Sequence, residues 1–253
     1  MDSPAKGLLN SREPQPIDEL PKVVVAHATF QKALAGDPSE SSLAYPIQAF
    51  LGVKGSWSIL PEQNHPTLNE NQRSGRPWQI DFVGKRDERW SFALEVKIHT
   101  GAKSDRLVRD VVKLLLLGDK EESKNALRYL LVLFPRPSEI VKYMPASRYE
   151  PRLTQKMYGV SGAPPVDLFD QLLPWIKPSQ ELLLGRLDLG IRRHVDAALL
   201  AFDRRTVRGD IRVDLVAKSW SDDFACGLWK FLWKSPQADY SLPKAAEQLE
   251  DKQ

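Results

Sequence analysis

The amino-acid sequence predicts an α/β fold in which helices flank a mixed central sheet. Its 253 residues, 42% of them hydrophobic, suffice for a substantial core in one large domain, with or without an elaboration. Between residues 39 and 134, the hydrophobic pattern indicates the order helix, strand, strand, strand, helix, strand. The last of these strands, "ALRYLLVLF", is a nearly continuous apolar run, which is typical of a strand buried on both faces.

Two helices are predicted to precede the sheet. The chain begins with a polar, proline-rich arm, and "PKVVVAHATFQKALAG" then predicts a helix that ends at Gly36. The segment "DPSESSLAYPIQAFLG" predicts a second helix that Ser39 or Ser41 caps and Gly52 ends. Pro46 leaves two alternatives, because it either kinks this helix or marks its first turn.

Three strands and one amphipathic helix follow in the predicted core. "SWSILPE" predicts a short strand, and residues 63–77 form a long polar loop after it. "WQIDFVG" and "RWSFALEVKIH" predict two further strands joined by the polar turn "KRDER". "SDRLVRDVVKLLLLG" predicts a helix with Ser104 as its N-cap and Gly118 at its end.

The C-terminal part is expected to be an α+β elaboration. "VDLFDQLLPWI" and "LGIRRHVDAALLAFDRR" look helical, and "DIRVDLVAK" and "FACGLWKFLWK" predict a final pair of strands. The predicted organisation is an N-terminal arm with a short helix, a core, and a C-terminal elaboration packed on that core, at residues 1–36, 37–145 and 146–253.

Composition narrows the class of protein. The net charge of +3 and the pI of about 8.9 are compatible with a polyanionic partner. The single cysteine, Cys226, excludes an internal disulfide and a cysteine-based zinc site, and its apolar neighbours predict a small core residue. The N-terminus has no apolar leader, and no segment approaches the ~20 apolar residues of a transmembrane helix. We therefore expect a cytoplasmic protein without a membrane partner.

Charged residues in the third predicted strand need an explanation, because burying an unpaired charge is costly. In "WSFALEVKIH" the apolar side chains alternate with a second set that includes Glu95 and Lys97. Residues opposite each other in an antiparallel pair share a face, so a turn with an odd number of residues would align the apolar sets. Asp81, on the preceding strand, would then face Glu95 or Ala93 and form one cluster with Glu95 and Lys97.

This cluster predicts a metal site. Two carboxylates at one point repel each other unless a cation lies between them. Oxygen ligands with open coordination positions suit Mg²⁺ or Mn²⁺. A nearby lysine can orient a water molecule, help to deprotonate it, or stabilise the charge that develops on a phosphate. These are the groups needed for metal-assisted hydrolysis of a phosphodiester.

Asp81, followed by Glu95-Val96-Lys97 on the next strand, resembles the signature of the PD-(D/E)xK nucleases, which have the restriction-endonuclease-like fold. The family core is an αβββαβ unit, and the predicted element order matches it. The resemblance covers less than half of the chain, and Ile80 stands where the family signature has proline. It implies that Asp81 and Glu95 hold the metal with the backbone carbonyl of Val96, and that Lys97 positions the attacking water.

Further site residues are implied by the same resemblance. A helix before the sheet often carries an additional acid in this family, and Glu40 is the candidate here, with Glu62 as the alternative. Candidate DNA contacts are a strand-end histidine, a stripe on the helix after the lysine strand, and an arginine-rich segment: His99, Arg106, Arg109, Lys113, Arg204, Arg205, Arg208 and Arg212. The alternative for these residues is a charged surface without a ligand.

The sequence thus predicts a Mg²⁺- or Mn²⁺-dependent nuclease acting on DNA, and the family suggests restriction or defence against foreign DNA. Cutting both strands of a duplex with one site per chain favours a homodimer or a partner-protein complex. The alternative is a catalytically inactive module of the same fold that binds nucleic acid or protein, in which the three signature residues do not converge or arginine-rich surfaces dominate. A structural subunit, recognisable by a large apolar patch in the C-terminal third, is a further alternative.

Overall fold

The computed structural model describes residues 16–55, 57–66, 68–69, 76–100, 105–117, 122–143 and 211–233. These residues form an α/β structure around a six-stranded mixed sheet. Its α-helices are α1 (Leu20–Ala35), α2 (Glu40–Gly55) and α3 (Asp105–Leu115). Its strands are β1 (Ser58–Asn64), β2 (Gln79–Arg86), β3 (Arg89–Ile98), β4 (Leu127–Phe134), β5 (Ile211–Trp220) and β6 (Ala225–Trp233). Short 3-10 helices precede α1 and follow β4, at Pro16–Glu19 and Pro137–Tyr143.

The sheet has the strand order β1-β2-β3-β4-β6-β5. β3 and β4 are parallel, with α3 between them in the chain, and the other neighbouring strands are antiparallel. The order from α2 to β4 is the one the sequence predicts. The predicted final strand pair is also present, and it extends the central sheet because β6 pairs with β4. The two helices predicted between residues 166 and 205 lie outside the described residues.

β3 separates two buried layers. Its apolar side chains that pack with α1 and α2 are Phe92, Leu94 and Val96. Ala93 projects from the opposite face and packs with α3. This alternation confirms the predicted apolar face of the strand. Glu95 and Lys97 have the same parity as Ala93 and therefore project on the α3 side of the sheet.

Ser39 is the residue that caps α2. Its Oγ accepts a hydrogen bond from the Ser42 backbone N (3.2 Å), and the Ser42 Oγ accepts one from the Ser39 backbone N (3.0 Å). This reciprocal pair satisfies two backbone donors, as in a capping box. The cap fixes the first turn of the helix, which starts at Glu40. The alternative that Pro46 marks the first turn is therefore wrong.

α2 also extends further than predicted. The helix passes through Gly52 and ends at Gly55, although Gly52 was the expected stop. Leu51 is fully buried in the layer beside α1, and its packing keeps this part of the chain helical despite the low helix propensity of glycine. A Cβ on Gly55 would overlap the Trp57 ring, so glycine is needed where the backbone passes this close to the ring.

The β2–β3 hairpin differs from the prediction in the length of its turn. Two residues, Asp87 and Glu88, connect the strands, with φ angles of 50° and 62°. Positive φ at both central residues is the conformation of a type I′ turn, whose twist matches that of the strands. The expected odd-numbered turn is therefore wrong. Without a further irregularity, this turn would bring Asp81 opposite Leu94 and into the apolar layer.

A β-bulge at Ser91 restores the pairing that the hydrophobic pattern requires. Ser91 is an extra residue on β3, and beyond it the register changes by one. The pairs on either side of the bulge are Lys85 with Trp90 and Gly84 with Phe92. Continued along the strands, this register places Asp81 opposite Glu95. The side-chain parity was thus predicted correctly, but the bulge produces it and the turn does not.

Gly84 is sterically required beside the bulge. A Cβ on Gly84 would overlap the Phe92 ring, which is buried and packs edge-on against Trp57 at 5.0 Å between ring centroids. We expect Gly84→Ala to lower the free energy of unfolding by about 1–3 kcal/mol through overpacking. Urea denaturation measures this change. Gly52→Ala is the matched control, since its Cβ would meet no atom within 4 Å, and an equal loss in both variants would contradict the explanation.

His65 is buried at the end of β1, within the segment predicted as a polar loop. Its backbone N donates a hydrogen bond to Trp78 O (2.8 Å). Its Nδ1 accepts a hydrogen bond from Leu68 N (3.1 Å), so the neutral ring carries its proton on Nε2, which lies 2.9 Å from Lys113 O. Burial, together with the Lys113 charge, lowers the pKa of His65 to about 4. The imidazole thus links the β1–β2 connection to α3.

Acid should destabilise the protein through His65. The folded-state pKa lies below the ordinary value of 6.5, so the stabilisation is complete above pH 6.5 and is lost as the pH falls towards 4. We expect a loss of about 3 kcal/mol from this group. Urea unfolding of wild type and His65→Gln between pH 4 and 7.5 isolates it from the carboxyl groups. Parallel pH profiles for the two proteins would refute the assignment.

Cys226 is buried in β6 among apolar neighbours, which confirms the prediction of a small core residue, and burial raises the pKa of its thiol. In the described part of the chain, none of the helices has the length and apolar character needed to cross a membrane.

Candidate active site

A cavity of about 390 Å³ lies on the α3 side of the sheet, bordered by β1, β2 and α3. Charged side chains line it: Glu62, Arg76, Asp81, Arg109, Asp110 and Lys113. Concave sites with converging ionisable groups are the usual locations of binding and catalysis. The cavity adjoins the part of β3 that carries Glu95 and Lys97.

Asp81 and Glu95 occupy facing positions on β2 and β3. Asp81 Oδ2 accepts a hydrogen bond from the Val96 backbone N at 2.7 Å. The family resemblance implied a role for the Val96 carbonyl, whereas the contact in this structure involves its N–H group. Glu95 is 0% exposed. A carboxylate at this depth requires hydrogen bonds or a cation.

Lys113 of α3 provides the positive charge beside Glu95. Its Nζ lies 2.6 Å from Glu95 Oε2 and 3.0 Å from Asp110 Oδ1. It also donates a hydrogen bond to Gln79 O at 3.1 Å. Three oxygens therefore surround an ammonium group that has three N–H donors. Lys113 was predicted as a DNA contact on a surface stripe, but its buried position makes it the counter-ion of the carboxylate cluster.

Lys97 joins three elements at the end of β3. Its Nζ lies 3.3 Å from Asp110 Oδ2 on α3 and 3.3 Å from Glu40 Oε1 at the start of α2. Glu40 Oε1 also accepts a hydrogen bond from Ile98 N at 3.3 Å. Of the two candidate additional acids, Glu40 contacts the signature lysine. Glu62 lies on the cavity wall instead, with Oε2 3.9 Å from Arg76 Nη2.

Among the residues that the structure describes, the carboxylates of the site outnumber its ammonium groups. Burial raises the pKa of Asp81, and burial together with the Asp81 charge raises the pKa of Glu95 well above its ordinary value, although Lys113 opposes both shifts. Burial alone would lower the pKa of Lys97 and of Lys113, but the surrounding carboxylates, Asp110 first, outweigh it and raise both pKa values. Both lysines therefore remain charged at neutral pH, while ionisation of the acids is opposed.

The chemistry of these groups fits a hard divalent cation. The connected carboxyl groups are Glu40, Asp81, Glu95 and Asp110, and the residues in the described ranges that make ion pairs with them are Lys97 and Lys113. Within the described part of the chain, the buried Glu95 Oε1 has no hydrogen-bond partner, and a buried oxygen of this kind suits a cation or a water molecule as its partner. Among the described residues, no three acidic, histidine or cysteine side chains form a ready metal-ligand group. The Lys113 ammonium lies between two of the carboxylates.

The other predicted site residues lie in different settings. The ring of His99 is buried, hydrogen-bonded to Tyr143 Oη at 2.8 Å and edge-on to Phe134, so it belongs to the core and does not face a ligand. Arg109 lines the cavity. Arg106 lies on α3 and Arg212 on β5. The predicted DNA contacts Arg204, Arg205 and Arg208 lie outside the described residues.

Asp110 is one of four residues that, by the family resemblance, the helix after the lysine strand offers the site, but the sequence assigned it no specific role. In the structure it contacts both lysines of the site. A usable signal was its spacing, three residues before Lys113 on an amphipathic helix. Buried residues of α3 at neighbouring positions, Leu107, Val111 and Leu114, show that this part of the helix faces the sheet. Asp110 lies at the edge of this buried face of the helix, next to the other charged groups of the site.

Comparisons of the chain with protein-family models, with curated proteins and with solved structures found no match. The function therefore has to be inferred from the α/β fold and from the carboxylate–lysine cluster. These two features are the basis of the proposals below.

Removing the Lys113 charge should destabilise the fold. Lys113→Met leaves the buried Glu95 without its ammonium partner and leaves Asp110 paired with Lys97 alone. We expect the free energy of unfolding at pH 7 to fall by about 3–5 kcal/mol. Urea denaturation in a buffer with chelator measures this loss. Adding Glu95→Gln should recover part of it, because the amide carries no charge.

Lys32→Met is the matched control for this substitution. Lys32 pairs with Asp223 at an exposed position, and both side chains are about 40% accessible. Exposed ion pairs contribute little to stability. An effect of Lys113→Met as small as that of Lys32→Met would show that Lys113 is not the counter-ion of the cluster.

Proposed function

We propose that this protein is a metal-dependent nuclease of the PD-(D/E)xK type, with a restriction-endonuclease-like core, that hydrolyses phosphodiester bonds of DNA. The observation that carries the proposal is the register that sets Asp81 opposite Glu95, with Lys97 two residues further on the same face of β3. The element order from α2 to β4 supports it. The contact of Glu40 with Lys97 supports it further, because a helix before the sheet would supply this acid.

The residues proposed to hold Mg²⁺ or Mn²⁺ are Asp81 and Glu95, with the Val96 carbonyl as the family resemblance implies. Asp110 lies beside them and is available as a further oxygen donor or as a partner for bound water. A bound Mg²⁺ would polarise the phosphodiester and lower the pKa of a water ligand. The protein would contribute preorganised carboxylates at the edge of a charged cavity.

Lys97 is proposed to act as a hydrogen-bond donor. Its ammonium lies between Asp110 and Glu40, and two carboxylate neighbours favour the charged form. In this form it would orient the attacking water and stabilise negative charge on the phosphate, but it would not accept a proton. Glu40 would be a positioning residue, since it binds both the Lys97 ammonium and the Ile98 N–H.

Positively charged side chains at the cavity support DNA as the substrate. Arg109 and Arg76 border the cavity and would provide positive charge for the phosphates of a DNA strand. A homodimer or a complex with a partner protein would allow cleavage of both strands of a duplex. A role in restriction or defence against foreign DNA follows only from the family resemblance.

A catalytically inactive binding module is the second candidate, and one observation favours it. Among the described residues, three of the four carboxylates in the cluster contact an ammonium group: Lys113 contacts Glu95 and Asp110, and Lys97 contacts Asp110 and Glu40. A site whose carboxylates stay paired in this way would keep the fold without binding a metal.

Cleavage assays separate the two candidates. Supercoiled plasmid and single-stranded DNA are incubated with wild type, Asp81→Asn or Lys97→Ala in the presence of Mg²⁺ or Mn²⁺. We expect wild type to cut and each variant to lose about 10²-fold or more of the rate, because each loses a group that acts in the transition state. Asp81→Asn keeps an oxygen that can accept the Val96 N–H.

Lys32→Ala serves as the control and should cut like wild type, since the exposed pair of Lys32 with Asp223 lies away from the cluster. Thermal unfolding of all four proteins verifies that they are folded. The nuclease proposal fails if wild type does not cut, or if the site variants cut as well as wild type. A gel shift on the same samples would then support the binding module if wild type retains DNA.

A further inference from the structure

The contacts of Lys113 resemble those of a bound metal ion. Its Nζ has three oxygen neighbours, from Gln79 on β2, Glu95 on β3 and Asp110 on α3, at 3.1, 2.6 and 3.0 Å. Carboxylate and backbone carbonyl oxygens are also the donors that a hard divalent cation takes from proteins. The three donors come from three different elements, and the side chain of Lys113 fills the point at which they converge.

An ammonium group and a metal ion cannot occupy this point together. Mg²⁺ binds oxygen at about 2.0–2.1 Å and an ammonium hydrogen bond is longer. A metal that binds the same oxygens of Gln79, Glu95 and Asp110 would therefore have to take the place of Lys113 Nζ. The cavity of about 390 Å³, which Lys113 itself lines, offers room for the displaced side chain.

Lys113 pairs with only one of the two Glu95 oxygens. Glu95 Oε2 is bonded to Lys113, whereas the buried Glu95 Oε1 accepts no hydrogen bond from any residue that the structure describes. A monovalent ammonium supplies one charge and directional donors, whereas a divalent cation supplies twice the charge to the same carboxylates. The repulsion between Glu95 and Asp81 would then be more fully balanced.

We propose that Lys113 is a resident counter-ion at the metal position, which a divalent cation has to displace, and that Lys113 thereby sets the metal concentration at which the site becomes loaded. This inference rests on the proposed nuclease function for the identity of the ion. It adds a role for a residue outside the Asp81, Glu95 and Lys97 signature. In the absence of metal, the lysine keeps the buried acids paired and the fold intact.

Calorimetric titration of the full chain with Mn²⁺ tests the displacement. We expect Lys113→Met to bind Mn²⁺ about tenfold or more tightly than wild type, because the ion no longer competes with an ammonium group. Mn²⁺ should also raise the thermal unfolding temperature of Lys113→Met more than that of wild type. Lys32→Met should bind like wild type, and Glu95→Gln added to Lys113→Met should abolish the gain. Equal or weaker Mn²⁺ binding by a folded Lys113→Met would overturn the inference.

A measurement on wild type avoids dependence on the folding of that variant. The side-chain ammonium signal of Lys113 in ¹H–¹⁵N NMR is identified by its absence in Lys113→Arg. We expect this signal to be visible without metal, because the group is buried and hydrogen-bonded, and to shift or vanish as Mg²⁺ is added. A signal that stays unchanged while calorimetry shows the site to be saturated with Mg²⁺ would also overturn the inference.

These results are separable from those on the proposed function. Tighter metal binding by Lys113→Met without DNA cleavage by wild type would support the displacement and contradict the nuclease. Metal-dependent cleavage by wild type, with no change of metal affinity in Lys113→Met, would support the nuclease and contradict the displacement.

Discussion

The burial of Glu95 is the constraint on which the surrounding structure depends. A carboxylate with no exposed surface is stable only beside a cation or several donors, and Lys113 meets this need from a helix that packs on the same face of the sheet. Asp110, one turn earlier on α3, pairs with Lys113 and with Lys97. The position of α3 on the sheet is therefore coupled to the charges at the end of β3.

The hairpin between β2 and β3 supplies the second part of the arrangement. Its type I′ turn suits the twist of the strands but gives the wrong parity, and the bulge at Ser91 corrects it. Gly84 is the residue that lets the Phe92 ring cross the neighbouring strand there. The pairing of Asp81 with Glu95 is thus a property of the whole hairpin and not of either residue.

The cluster is both a stabilising network and a candidate site, and the two roles make opposite demands. Stability requires that each buried carboxylate has a permanent partner. Metal binding requires carboxylates that a cation can reach. The proposed displacement of Lys113 would reconcile the two demands, because the lysine holds the acids together and the cavity beside it offers room for its side chain. The ammonium group of Lys97, by contrast, is held in place by one carboxylate from α2 and one from α3.

The sequence by itself determined the order of elements, the apolar face of β3, and the shared face of Asp81, Glu95 and Lys97. These follow from local periodicity, which depends only on neighbours in the chain. Tertiary structure decided the bulge at Ser91, the burial of His99 in the core, and the roles of Asp110 and Lys113. Which charge lies beside a buried acid depends on how a distant helix packs on the sheet. Side-chain spacing within one segment can mark a charged residue on the buried face of a helix, but it does not identify the partner on the sheet.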